Sequence, residues 1–470
     1  MRVAKKNVTL LQYMVLAGIL IFSEPQMARA ASAPEPASAP EAGVGELPKP
    51  PAEPAESERP EREGPALREG PVPGSPFSPV TPLGDPFGLL PESGLGAGIP
   101  SGAAGIRLGP ATIYPAIGVA LLYDDNYFGS NTNRQGAFST VFSPLIRAEL
   151  RPPGGSTYAL TYNADIARNW DSSADNFVRQ RLLFDSTVII TTRARLALQA
   201  QHAESVERRG STDRPAGAEP DKRADTNVAG LFSYGAAGAR GRIDVEAGYQ
   251  QSEYKNNEAV TGAFHHNTTF GGGTFYWRVF PKTSLLFRVR QSEIEYPGSG
   301  GADLSSTERQ YAIGATWEAT ARTSGTFSFG QLKKEFDGPS REGYTGAYWE
   351  GYVTWAPRTY SNFNFSTAQH TSEATGVGDF AVSRVVFLTW NHAWTSRISS
   401  RVRGGYRTDD YRGAGVSRQD DNTNIGAGLV YQFRRWVGFG AQYDHIRRSS
   451  NVPGADYDRN VFSLTVSATL

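Results

Sequence analysis

The chain contains no cysteine, and its three methionines, Met1, Met14 and Met27, all fall in the first thirty residues. Without thiols there is no disulfide framework and no thiolate metal centre. Long apolar runs are also missing: after residue 30 nothing approaches the ~20 apolar residues that a membrane-spanning helix needs. Neither sign of charge is in excess, with 47 basic and 47 acidic residues. A net charge of zero supplies no general attraction for nucleic acid, and no nucleic-acid partner is expected. No segment has convincing helical periodicity. No glycine-rich phosphate loop, metal-ligand cluster or nucleophile motif stands out, so no cofactor, metal or catalytic residue is expected.

What is present begins with an export signal. Arg2, Lys5 and Lys6 form a positive head, Val8 to Phe22 is largely apolar, and Ala28-Arg29-Ala30 supplies small residues at the −3 and −1 positions of a cleavage site. The reading is a signal peptide, residues 1–30, cut after Ala30. The apolar stretch is short for an anchor helix. An exported, cysteine-free chain of this size suits the envelope of a Gram-negative bacterium. Residues 31–110 then hold 18 of the 30 prolines. So proline-rich and apolar-poor a segment cannot bury a core, and it reads as a disordered, semi-rigid periplasmic arm or linker. Its later part, "PFSPVTPLGDPFGLLPESGLGAGIP", has a few apolar residues that either dock or merely link.

From about residue 112 the texture changes to short alternating runs such as "IGVALLY" (117–123), "YALTYNADI" (158–166), "IDVEAGY" (243–249) and the final "FSLTVSATL" (462–470). Period-two alternation places successive side chains on opposite faces of a β-strand. Residues 112–470 divide into about eighteen such strands, within a range of sixteen to twenty, each about ten residues long. Short connections, such as "TTR" (191–193), "FPK" (280–282) and "APR" (356–358), alternate with long ones, such as 124–136, 203–225, 252–266 and 292–306. Outer-membrane barrels have short periplasmic turns and long outer loops. The pattern therefore predicts an all-β, antiparallel, up-and-down transmembrane barrel over residues 111–470, with both termini periplasmic.

A soluble β-sandwich also alternates, but three features point to the barrel. The long and short connections alternate along the whole array. Aromatics cluster near strand ends, with Trp170, Tyr296, Tyr411 and Tyr457 by the long loops and Phe280, Trp355, Trp394 and Trp436 by the short turns, as in interfacial girdles. Finally, the polar face is too charged for a dry core. It carries Arg147, Glu149, Arg151, Asp165, Arg179, Arg181, Asp185 and Arg195, then Asp244, Glu246, Arg288, Arg290, Glu318, Glu350, Arg401, Arg403 and Arg407. Burying unpaired ions costs several kcal/mol each, so these residues need water. Glycines 426, 428, 438 and 440 on the same face are expected to leave space. The apolar set then contacts lipid and lipopolysaccharide, and the charged set lines a lumen.

An eighteen-stranded barrel is wide enough for an aqueous channel. The inward set is richer in arginine than in acids, which either favours anions or anionic sugars or merely braces the wall through cross-strand pairs. Tyr276, Tyr348 and Tyr352 either stack on sugars or are structural. His202, His265, His266, His370 and His445 lie toward the long-loop side with the pairs Asp124-Asp125, Asp409-Asp410 and Asp420-Asp421. Solvated rim charge, or weak binding of divalent ions, is the default reading of that set. Asp444 and His445 are adjacent on a strand and so point to opposite faces.

Two stretches carry a resemblance. "LLYDDNYFGSNTNRQGAFSTVFSPLIRAEL" (121–150), with Tyr-Asp-Asp-Asn at 123–126, precedes "YALTYNADIARNWDSSADNFVRQRLLFDS" (158–186), with Asp-Ser-Ser-Ala-Asp-Asn at 171–176. In these the chain resembles the putative beta-barrel porin 2 superfamily, and among it barrels encoded with exopolysaccharide-synthesis operons. The likeness covers about 110 to 470. It implies a porin-like outer-membrane channel for passive export or diffusion, linked to an exopolysaccharide and its periplasmic export apparatus. It brings no catalytic residue. The final strand resembles the signal read by the barrel-insertion machinery, although it ends in Leu470 where most such signals end in Phe. The alternatives are a structural or binding barrel plugged by its own arm or loops, and an outer-membrane enzyme with a rim site.

Overall fold

The computed structural model describes residues 103–470 apart from 210–211, 213–218, 237, 299–303, 321 and 374. The expected cleavage site at Ala28 and Ala30 and most of the proline-rich arm lie outside the described residues. The strands are β1 (Ile106–Leu108), β2 (Ala111–Asp124), β3 (Ala137–Leu150), β4 (Thr157–Asn169), β5 (Phe177–Ile189), β6 (Ala194–Glu207) and β7 (Asp221–Tyr234). They continue with β8 (Gly241–Tyr254), β9 (His266–Phe280), β10 (Thr283–Glu295), β11 (Ser306–Thr320), β12 (Thr323–Phe336) and β13 (Tyr344–Arg358). The last six are β14 (Ser361–Glu373), β15 (Phe380–Ala393), β16 (Ile398–Arg412), β17 (Gln419–Arg434), β18 (Val437–Ser450) and β19 (Tyr457–Thr469).

Each strand from β2 onward pairs antiparallel with the next, and β19 returns to β2 from Val461↔Asp124 to Thr469↔Ala116. The result is a closed barrel of eighteen strands, with β1 as one extra strand. Closure gives each of the eighteen strands a neighbour on both sides, the condition for crossing hydrocarbon with strands. At the seam, β1 pairs with residues 111–113 of β2, just below the reach of β19. The Gly105 amide donates to the Leu470 carbonyl at 3.1 Å, so β1 takes over where β19 stops. Pro115 sits at this changeover. Its carbonyl accepts from the Leu470 amide at 3.3 Å, and a ring nitrogen with no hydrogen is tolerated where the ladder changes partner.

Alternation sorts the two faces sharply. On β19, Phe462, Leu464 and Val466 are 50%, 60% and 46% exposed, while Ser463 between them is 2% exposed. Ile117, Val119 and Leu121 of β2 repeat the pattern, as do Phe327 and Phe329 of β12. Each such side chain gains ~1.5–3 kcal/mol when lipid replaces water around it. The inner face carries serine, threonine, asparagine and charge, so there is no dry core. Its apolar clusters are small wall patches, such as Ala120, Leu122, Val141, Ala167, Phe177 and Val461.

The eighteen barrel strands, β2 to β19, are longer than expected, 13 to 16 residues each rather than about ten. At ~3.3 Å per residue and ~40° tilt they stand roughly 35–40 Å tall, against an apolar band of ~25 Å. The excess projects at the long-loop end. Residues read as loop, among them 203–207, 221–225 and 292–295, are ladder instead. A cross-strand ion pair holds these polar ends in register: Arg223 of β7 reaches Glu207 of β6 at 2.8 Å, and Asp225 two residues along β7 at 2.9 Å steadies the guanidinium.

The aromatic girdle needs a correction as well. Phe280, Trp355, Trp394 and Trp436 are exposed at the short-turn end, and Trp170 is exposed at the other. Tyr296 and Tyr457, however, are buried. Tyr296 packs with Ile294 and Leu304, Tyr411 donates to Asp420 at 3.3 Å, and the Tyr457 ring lies under Arg448. Tyr411 and Tyr457 occupy lumen-facing positions of their strands; nearness to a strand end does not choose a face, whereas parity along the strand does.

Candidate functional site

The lumen wall is a lattice of charge pairs. Arg147, Glu149, Asp165, Arg179, Arg181, Asp185, Arg195, Asp244, Glu246, Arg288, Arg290, Glu318, Glu350, Arg401, Arg403 and Arg407 fall at lumen-facing positions of their strands, and Arg151 lies in the turn after β3. Glu149 accepts from Arg147 and Arg151, both at 2.8 Å. Arg179 stands 3.8 Å from Asp165, Arg288 3.4 Å from Glu350 and Arg290 3.1 Å from Glu246. Arg403 meets Asp444 at 2.6 Å and Arg407 meets Asp409 at 2.8 Å. Asp185 accepts from Gln199, and Arg401 donates to Asn391. Arg195 and Glu318 have no ion-pair partner among the described residues.

Bracing therefore takes up most of the wall arginines. Gly426 makes the point: a Cβ there would fall on the Asp444 carboxylate and the Arg403 guanidinium. That glycine seats an ion pair, where open space was expected, because long neighbouring side chains lean across it. The inward tyrosines are likewise occupied. Tyr276 lies under Arg242 at 3.9 Å, Tyr348 donates to Glu350 at 2.8 Å and Tyr352 donates to Asn364 at 3.0 Å.

Two hairpins leave the wall at the long-loop end and lie against the lumen face. The β13–β14 ladder stops at Trp349↔Gln369, leaving 344–348 without a β14 partner, while β15 stays paired with β16 up to Phe380↔Arg412. Beyond that split, β14 and β15 side chains that alternation assigns to the outer face touch lumen-facing residues. Thr371 donates to Glu308, Glu373 accepts from Lys334 at 2.7 Å, and the Phe380 ring packs on Phe336 and Tyr344. The β5–β6 ladder stops in the same way at Gln180↔Glu204. Val206, also on the outer parity, packs on the lumen-side cluster around Phe177. On a ring of eighteen, β6 and β14 are eight strands apart, so the two folded hairpins enter the mouth from nearly opposite sides.

The two short motifs singled out in the sequence grip the second of these hairpins, β6–β7. In the stretch 123–126, Asp124 accepts from the Asn126 amide and lies 3.6 Å from Arg459, and Asp125 holds both nitrogens of Asn460, at 2.7 and 2.6 Å. These contacts weld β2 to β19 at the seam. Asp124 also accepts from Arg208 at 2.8 Å. In the stretch 171–176, Asp175 is buried and takes Arg209 through both carboxylate oxygens. Adjacent arginines at the end of β6 thus insert into one motif each.

A closed barrel with an apolar outside and a polar, charge-lined inside matches the family described as Putative beta-barrel porin 2 over residues 99–470. The chain belongs to that family. It is a porin-like outer-membrane barrel. Among solved structures, it is similar to Pseudomonas aeruginosa OccK2 (OpdF), at 14% identity and a TM-score of 0.44, covering 77% of this chain and 98% of that one. It is also similar to Acinetobacter baumannii OccAB4, at 10% identity and a TM-score of 0.39 over 76% and 98%, and to the FrpB iron transporter from Neisseria meningitidis (F5-1 variant), at 10% identity and 0.41 over 79% and 84%. No curated protein matches the chain.

The histidines of this porin-family barrel are scattered. His202 meets Thr226 on the outer face, His265 stands 3.8 Å from Glu258, and His445 meets Asn460 while Asp444 faces the lumen. Among the described residues no three of His, Asp and Glu gather as a metal site would require. The residues that sequence reading missed are Arg208, Arg209, Lys334 and Glu373. Their signal was weak: Arg208, Arg209 and Glu373 sit at or beyond a strand end, where parity no longer predicts the face, and Lys334 keeps the lumen parity of β12 but its partner comes from β14, which parity cannot supply.

Proposed function

We propose that the barrel is a passive channel and serves as the outer-membrane exit for an exopolysaccharide. The observation carrying the channel reading is the inner wall itself: eighteen strands present paired ions, hydroxyls and amides around the axis, and such a surface is stable only against water. The polymer rests on the sequence resemblance to exopolysaccharide-operon barrels. In this reading the short-turn end and both termini face the periplasm, where an export apparatus delivers the chain. The outer face contacts lipid and lipopolysaccharide, and the last strand engages the insertion machinery. No step requires catalysis. Single-channel recording in planar bilayers tests it: discrete ohmic steps are expected, and a folded barrel that never conducts overturns it.

The inward hairpins favour a second reading, a barrel closed at its mouth until they swing out. In recordings this predicts long closed periods that end when the hairpin anchors are removed.

A further inference from the structure

Along β6 to β11 the carboxylates that brace the lumen arginines run out at the short-turn end. A cavity of about 520 Å³ opens there along β6 to β11, lined by Arg193, Arg195, Arg240, Arg242, Arg278 and Lys282. Arg195, Arg242 and Arg278 occupy lumen-facing positions on β6, β8 and β9, and the other three stand in the turns. Only Arg242 has an acid beside it, Asp244 at 3.1 Å, and its guanidinium is fixed over the Tyr276 ring. The other five cations have no carboxylate within ion-pair distance among the described residues. Glu318 is the one acid on the cavity wall. Elsewhere in the lumen most arginines stand against a carboxylate at contact distance. Here like charges are gathered and left open.

The cations are spread around an arc rather than focused on a point. Six neighbouring strands at ~4.8 Å spacing span ~24 Å of wall. A small anion would fill one guanidinium fork, whereas a chain bearing acids at intervals engages several forks together. Guanidinium groups match carboxylates in bidentate geometry. The lumen-facing positions of Arg195, Arg242 and Arg278 separate them from lipid headgroups, which meet the outer face. We propose that this cavity is a docking site for the carboxylates of an anionic glycan chain, a uronate-type polymer, entering from the short-turn side. The assignment rests on the polymer-channel reading and narrows its substrate class to acidic glycans.

Equilibrium binding tests the assignment without requiring passage. The full chain in detergent is titrated into a fluorescein-labelled oligogalacturonate and into a labelled neutral malto-oligosaccharide, and anisotropy is followed. The acidic chain should bind, weakening with salt, and the neutral one should not. Arg195→Gln with Arg240→Gln and Arg278→Gln should weaken binding at least about tenfold, while Arg407→Gln, in the braced part of the wall, should leave it unchanged. Heat-modifiable migration confirms that each variant is a closed barrel. Equal affinity for both glycans, no loss in the triple variant, or full displacement by inorganic phosphate at equal charge each overturns the assignment. A barrel that conducts but fails this assay keeps the channel and loses the docking site.

Discussion

Arg208 donates to the Asp124 carboxylate at 2.8 Å, and this contact joins the end of β6 to the inner face of β2, the strand that closes the barrel. Both side chains are nearly excluded from solvent, at 11% and 4% exposure. Asp124 has a second cation, Arg459 at 3.6 Å, so it is not orphaned when Arg208 goes. Arg208→Ala with Arg209→Ala should therefore free the β6–β7 hairpin while the barrel survives. Single-channel conductance should rise and closed periods shorten, with heat-modifiable migration unchanged. Unaltered recordings would remove this hairpin from any role in gating.

Asp124→Ala should behave differently. It removes the partner of Arg208 and Arg459 and the acceptor of the Asn126 amide in one step. Stranding buried cations at the seam is expected to cost ~3–5 kcal/mol. The unfolding midpoint in urea should fall well below that of the double arginine variant, and a similar midpoint would mean the seam does not depend on this motif.

The opposite hairpin hangs on Lys334, whose side chain is fully buried 2.7 Å from Glu373. Lys334→Ala leaves that carboxylate without its cation and should destabilise the contact by ~3–5 kcal/mol, whereas Lys334→Met with Glu373→Leu, which removes both charges, should recover much of the loss. Limited proteolysis at 370–380 reads this out: cutting should be fast in the single variant and slow in the double.

Alkaline pH offers a second handle on the same hairpin. Tyr296, just beyond the end of β10, donates to Glu373 at 2.8 Å. Burial, with the Glu373 carboxylate beside it, pushes the phenol well above its usual range. A raised folded value contributes stability that is complete below the unfolded value, ~10, and is lost as pH rises above it. Protection of 370–380 should therefore decay from about pH 10 upward. Tyr296→Phe should flatten that profile, and a variant as pH-sensitive as the parent would assign the effect elsewhere.

The barrel was legible because its signal is redundant. Period-two patterning in Phe462–Leu470, repeated along the array with alternating connection lengths, specifies strand count and facing without any single decisive residue. The inward list from Arg147 to Arg407 follows from parity alone. What parity cannot supply is the partner. Arg290 finds Glu246 two strands away, on β8, and the Arg403–Asp444 pair bridges β16 and β18. Neither separation has a sequence period. The folded hairpins were illegible for a related reason. Residues 366–379 read as a long loop, so nothing in the sequence showed Thr371 and Glu373 to be strand residues of outer-face parity that the break in the β13–β14 ladder brings against the lumen side.

Gly426 provides a clean stability contrast with Gly404. A methyl group at 426 displaces the buried Asp444 carboxylate from Arg403, while one at 404 meets nothing within 4 Å. Gly404→Ala should shift stability by no more than ~0.5 kcal/mol, as for open surface sites. Gly426→Ala should lower it by ~3–5 kcal/mol, the range for a broken buried pair. Equal urea midpoints would indicate that the pair adjusts freely and braces nothing.

The orientation on which all these contacts depend can be tested directly, because the chain has no cysteine of its own. Single cysteines at Leu464 and Val466 project from the outer face of β19, and cysteines at Thr465 and Ser467 project from the inner face. In reconstituted membranes, spin labels at the first pair should be relaxed by lipid-dissolved oxygen. Labels at the second pair should be relaxed by a water-soluble nickel complex. Equal response at all four positions would mean that the wall does not separate lipid from water. An inverted response would place the arginines against acyl chains, where ions at mid-membrane depth cost ~2–4 kcal/mol each. A barrel carrying this many charges on one face could not stay inserted that way round.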